Sequence, residues 1–231
     1  MEHSNLPNKN AISDKRQRIE SETVLKILAI DSSYDKITQA SCVYRNRHVY
    51  PYLESKGFEV VRCQGRSARR VYVQPEACRD DIVYMTGVGH GVYTTYMGEY
   101  CNPIFDIGKY QAKELNNKVA HFFACQTAAE LGTDFVNNGC LAYFGYDEDF
   151  IVLMHVSDAF FDCDSEIDRA FADGLTAEEV YDRVIAHYNQ KIRELEDGGH
   201  DDVAAALEYN RDHLCAPSVN AKWGDKKARI V

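Results

Sequence analysis

The sequence contains no run approaching 18 consecutive apolar residues, so no transmembrane helix is expected. Its polar opening, MEHSNLPNKN, has no apolar signal core, and a cytoplasmic protein is the expectation. The eight cysteines (42, 63, 78, 101, 125, 140, 163 and 215) form no CxxC pair, and no His/Cys set has zinc-ligand spacing. Neither a metal nor a cofactor is therefore expected. In a reducing compartment most of these cysteines read as small buried residues. GxGxxG and GxxxxGK[ST] loops are both missing, which removes the usual nucleotide-phosphate cradles. The GxSxG elbow of serine hydrolases is missing too. Positive charge is in deficit: 26 Lys and Arg face 36 Asp and Glu, a net charge of −10. Nucleic-acid backbones and anionic membranes would be repelled and are excluded as main partners.

What is present is an ordinary globular composition, 45% hydrophobic over 231 residues, enough for one α/β domain. Residues 1–22 are polar and aperiodic and read as a flexible leader; residues 23–231 form the domain. TVLKILAID (23–31), FEVVRCQG (58–65), DIVYMTG (81–87), KVAHFFAC (118–125) and CLAYFGY (140–146) are short dense apolar runs of the kind that form buried strands. Between them, 37–57 has helical spacing, kinked near Pro51 and stopped at Gly57. Helices are also expected at 126–138, 151–172 and 176–197, the last opened by a Thr176/Glu179 capping box. The segment 92–110 reads as a hairpin or ordered loop, 65–80 as a basic loop, and AKWGDKKARIV as a source of a final strand. Strands alternating with helices imply a mainly parallel, six-stranded sheet with helices on both faces. Ligands bind such sheets beyond the carboxyl ends of the strands.

That rim is where two reactive side chains fall. His90, in GVGHGV, follows the third strand by three residues, and Cys125 ends the fourth. Parallel neighbours lie about 4.8 Å apart, so the two meet cheaply if those strands pair. A free thiol, with a pKa of about 8.5, is a weak nucleophile at neutral pH. A helix starting at 126 and a nearby imidazole would both favour the thiolate. The amides of Gly91 and Cys125 form a candidate oxyanion hole. Taken singly, a His in a glycine turn and a Cys in an apolar strand are commonplace structural residues; together, in this order, they suggest a dyad.

VGHG followed after 35 residues by Cys125 resembles the caspase-like cysteine peptidases: caspases, metacaspases, gingipains, separases and bacterial CHAT domains. The pattern is closest to the gingipain- and CHAT-type bacterial members. NNGCLAYFGY is similar to their strand after the nucleophile helix, and WGDKKARIV to their terminal GDP strand, with Lys226 in place of proline. The resemblance spans about residues 24–231. It implies a three-layer caspase-like sandwich and an endopeptidase acting through a thioester acyl-enzyme. His90 would be general acid/base, Cys125 nucleophile, and the Gly91 and Cys125 amides the oxyanion hole. No third catalytic member is implied.

Two departures bear on specificity. Caspases read Gln-Ala-Cys with Gly two residues on; here the residues are Phe123-Ala124-Cys125-Gln126-Thr127, so cleavage after aspartate is not implied. Many Arg/Lys-specific relatives carry Asp two residues before the nucleophile, where this chain has Phe123. Asp31 at the end of the first strand, with Asp147, Glu148 and Asp149 after the fifth, are candidate walls of a basic-selective pocket. Capping or solvent exposure would explain them equally well, and Phe123 would suit an apolar pocket. Tyr93, Tyr96, Tyr100 and Met97 form either a substrate-side wall or the packed face of a hairpin. RCQGRSARR (62–70) is an exposed loop or an activating cleavage site, which makes a protease or protein partner a candidate activator. DCDSEIDRAFAD (162–173) alternates carboxylates but lacks the glycine and glutamate of a calcium loop. Two functions compete: a caspase-like peptidase acting on protein or peptide, and a catalytically silent domain of that fold serving as a binding or regulatory module.

Overall fold

A computed structural model describes residues 24–231; the expected leader at 1–22 lies outside them. Six strands form the central sheet in the order β2 (Glu59–Gln64), β1 (Lys26–Asp31), β3 (Ile82–Val88), β7 (Val119–Phe123), β8 (Ala142–Tyr146) and β9 (Leu214–Cys215). The first five are parallel and β9 is antiparallel to β8. A separate antiparallel sheet joins β4 (His90–Val92), β5 (Thr95–Met97) and β6 (Pro103–Asp106).

The apolar runs become strands because both of their faces are covered. Ile27, Ala29, Tyr84, Val119 and Phe144 pack under α1 (Lys36–Tyr44), α2 (Tyr50–Ser55), α5 (Ser157–Ala172), α6 (Ala177–Asp197) and α7 (Asp201–Asp212). Leu28, Ile30, Met85, Ala120, Phe122 and Tyr143 pack against α3 (Arg70–Ala77), α4 (Leu131–Asn137) and the small sheet. The result is a three-layer α/β arrangement around a mainly parallel six-stranded sheet. Among the described residues no helix is long and apolar enough to cross a membrane.

Local chemistry explains the boundaries. Asp35 caps α1, accepting from the Ile37 and Thr38 amides, while the Thr38 side chain returns to the Asp35 backbone. Pro51, which has no N–H to donate, follows a widened π-type turn at Arg45–Val49, and Gly57 ends the stretch at φ 94°. The Thr176/Glu179 box opens α6 as the sequence predicts.

Three expectations are corrected. The helix after Cys125 begins at Leu131 rather than 126. Gln126 takes a left-handed φ of 60°, and residues 126 and 128 donate their amides to Glu148 O and Tyr146 O instead of to a helix. The sixth strand is Leu214–Cys215, not the C-terminal tail, which contributes a single bridge from Gly224 to Ala142. The basic stretch 62–70 is folded: it ends β2, and Ala68 is fully buried, its carbonyl accepting from Glu99 N–H.

Candidate active site

β3 and β7 are paired in parallel, with Val88 opposite Phe123, and their carboxyl ends deliver the two reactive residues to one rim. The Gly89 amide donates to Phe123 O at 3.2 Å and ties the two exits together. The chain then turns into β4, which carries His90. Gly91 backs onto the exit of β7 so closely that a Cβ there would lie 2.2 Å from Cys125 O and 2.5 Å from Thr127 Cγ2. Only glycine allows that approach.

His90 and Cys125 both line a small half-open cleft of about 70 Å³, together with Ile37, Thr38, Val88, Gly89, Phe123, Ala124, Phe150 and Val152. The imidazole Nε2 lies 2.8 Å from Asp35 Oδ2. Burial pushes the Asp35 carboxyl up, but the hydrogen bonds from His90 and Thr38 outweigh it and hold the group below the ordinary carboxylate range. An ionised carboxylate only accepts, so Nε2 donates to it, and in the neutral form of the ring Nδ1 is the acceptor. Tyr34 packs on the ring at 5.7 Å between centroids and on Tyr100 at 5.3 Å.

Cys125 is half-buried and its Sγ accepts from Phe150 N–H at 3.4 Å. Burial pushes the thiol up; the amides of Phe150 and Cys125 lower it, the Asp149 carboxylate raises it, and the balance is upward. The expected helix-dipole activation is absent: α4 starts six residues further on, and the thiol is pushed up rather than down. The exit of β8 forms a strap over the sulfur. Asn210, buried on α7, grips that strap through both Ile151 backbone groups, at 2.9 and 2.8 Å.

Gly91 faces Tyr96 in the β4–β5 hairpin, one step from the Val92–Thr95 pair that flanks the two-residue turn. By the alternation of antiparallel ladders its N–H points away from β5. The Cys125 amide lies against its own sulfur.

Of the candidate pocket residues, only Phe123 lines the cleft. Asp31 has no exposed surface. Its carboxylate accepts from the Tyr50 hydroxyl, from Gln64 Nε2 at 2.7 Å and from Val88 N–H at 3.1 Å, and lies 3.4 Å from Arg45 Nε. It is a buried strut, and the expectation of a pocket role is corrected. Asp147 is engaged by His213 Nδ1 at 3.0 Å, away from the cleft. Asp149 sits exposed on the rim beside Cys125. The tyrosines divide. Tyr96 is interior, stacked on Phe122 at 4.1 Å, whereas Tyr93 and Tyr100 are exposed.

Two features escaped the sequence reading. Asp35 is one; its signal was the aspartate preceding an apolar helix with Thr38 three residues on. The other is a buried ionic layer beneath the sheet. Arg45 reaches Asp168 at 3.0 Å and Thr86 at 2.7 Å, while His121 lies between Asp164 at 3.1 Å and Asp168 at 3.3 Å. Burial pushes His121 down, but the two carboxylates raise it to about 9. Asp164 and Asp168 are four apart and share one face of α5. Among the described residues no group of His, Cys, Asp or Glu is disposed to hold a metal ion.

No family model matches the sequence, and no curated protein matches it.

Proposed function

We propose that the chain is a caspase-like cysteine endopeptidase with Cys125 as nucleophile and His90 as general acid/base. The observation that carries the reading is the convergence of both side chains on one cleft, with His90 Nε2 fixed by Asp35. Because burial pushes the thiol up, the dyad works by general-base assistance rather than from a preformed ion pair. Cys125 Sγ attacks the substrate carbonyl as its proton passes to His90 Nδ1. The resulting oxyanion is met by the Gly91 and Cys125 amides. His90 then protonates the leaving amine, a thioester forms, and water activated by His90 releases the acid. Asp35 is a positioning residue: it fixes the tautomer and stabilises the imidazolium. The fold order, with His after β3 and Cys after β7, supports the caspase-like assignment.

The second reading is a silent domain of the same fold that uses the cleft to bind peptide. The upward shift of the Cys125 thiol favours it. Cleavage of a positional-scanning fluorogenic peptide library by the wild type, with Cys125→Ala and His90→Ala alongside, separates the two. The peptidase reading expects turnover that both substitutions abolish. Turnover absent from the wild type, or undiminished in either variant, overturns it. The ordered, partly buried 62–70 segment requires local unfolding before any protease could cut it, so a protein partner is the more economical activator.

A further inference from the structure

We propose that the cleft beside Cys125 is a specificity pocket for an aliphatic P1 side chain of the leucine or methionine class, an inference that rests on the peptidase reading above. Its side walls are Ile37, Val88, Phe123, Phe150 and Val152. The Phe123 and Phe150 rings pack edge to face at 4.5 Å and close one side. Thr38 is the one hydroxyl of the lining, and it already donates to Asp35 Oδ2 at 2.9 Å.

A basic P1 side chain finds no free carboxylate among the residues that line this cleft. Asp31 is buried and saturated by Tyr50, Gln64, Val88 and Arg45. Asp35 is engaged by His90, Thr38 and the Ile37 amide. Asp149 stands in solvent on the rim and is not part of the lining. A guanidinium carries five donors that would be stripped of water and left unmatched. An acidic P1 side chain fares no better, because Arg45 is buried against Asp31 and Asp168 and does not reach the cleft. The protein's own arginine thus occupies the one deeply buried carboxylate at the end of β1.

The test reads the pocket separately from hydrolysis. N-acetylated tripeptidyl chloromethyl ketones, identical except for Leu, Met, Arg or Asp at P1, are reacted with the full chain, and modification of the Cys125 peptide is followed by mass spectrometry. Sγ attacks the chloromethyl carbon, a C–S bond forms, chloride leaves and the thiol proton passes to the imidazole or solvent. The Leu and Met reagents should react at least ~10-fold faster than the Arg and Asp reagents. Ile37→Glu places a carboxylate at the mouth, in the first turn of α1 where an acid is well tolerated. It should raise the Arg-to-Leu rate ratio ~10-fold. Equal rates, or Arg or Asp ahead, overturn the proposal. Hydrolysis of the matching peptides reports on the dyad. Leu-selective alkylation without hydrolysis sinks the peptidase reading and leaves the pocket standing; hydrolysis led by a basic P1 does the reverse.

Discussion

His90 and Asp35 meet at 2.8 Å although 55 residues separate them, one on β4 and the other capping α1. One carboxylate thereby starts a helix and orients an imidazole. The two roles separate by substitution. Asn is as good an N-cap as Asp but cannot fix the Nε2–H tautomer by charge. Asp35→Asn should retain thermal stability within a few tenths of a kcal/mol and lower kcat ~10²-fold or more with KM little changed. Asp35→Ala should lose activity and also about 1 kcal/mol of stability. Thermal melts and steady-state kinetics on both variants decide; equal activity in Asp35→Asn and wild type would remove the positioning role.

The Cys125 thiol, pushed up by burial and by Asp149, should alkylate slowly at neutral pH and much faster above pH 9. Removing the neighbouring charge with Asp149→Asn should accelerate iodoacetamide labelling at pH 7.5 a few-fold. Peptide mapping is needed, since Cys101 is exposed and will react as well. A rate that is already maximal at pH 7 would show instead a preformed thiolate.

Gly91→Ala should abolish turnover, because its Cβ would drive Cys125 O and Thr127 from their places. Overpacking of this kind costs about 1–3 kcal/mol, so the variant should still fold, with a lowered Tm. Full activity in a folded Gly91→Ala protein would mean that β4 moves freely against β7.

The ionic layer predicts a pH-dependent stability. The folded pKa of His121, about 9, lies above its ordinary value of 6.5. Its contribution is therefore complete below about pH 6.5 and is lost as the pH rises through 9. Asp168 is shifted the other way: burial pushes it up, but Arg45 and His121 hold it well below the carboxylate range, so its contribution is present above about pH 4 and fades in stronger acid. Denaturant unfolding across pH 5–9.5 should show the decline on the alkaline side. His121→Gln should cost about 3–5 kcal/mol near pH 6 and flatten that decline. An unchanged slope in the variant would assign the alkaline loss to other groups.

Much of the fold was legible because its signals are local. Strand runs such as KILAID are apolar at every position, and TAEE announces the start of α6. The placement of His90 and Cys125 on one rim needed only one further assumption, that β3 and β7 are neighbours. What escaped depends on longer-range geometry. Asp31 looked like a pocket residue until Arg45, delivered by a π-type turn that no periodicity reveals, neutralised it from beneath. QTAAELG has helical composition, yet Gln126 and Ala128 bond to β8 and its exit instead, so the dipole expected at Cys125 lies elsewhere. Helix α7 carries a modest apolar face and was overlooked, and with it the Asn210 grip on the strap over the sulfur.

The π-type turn has one more consequence. Arg45 links Asp31 of β1 with Asp168 of α5 and Thr86 of β3, and Asp168 passes the connection to His121 of β7. No member can be exchanged alone without stranding a charge in the interior. Sequence drift in this layer must therefore proceed by joint replacement, cation with anion. A library that varies Arg45, His121, Asp164 and Asp168 together should yield folded survivors whose substitutions are correlated, whereas saturation of any one position should return mainly the original residue.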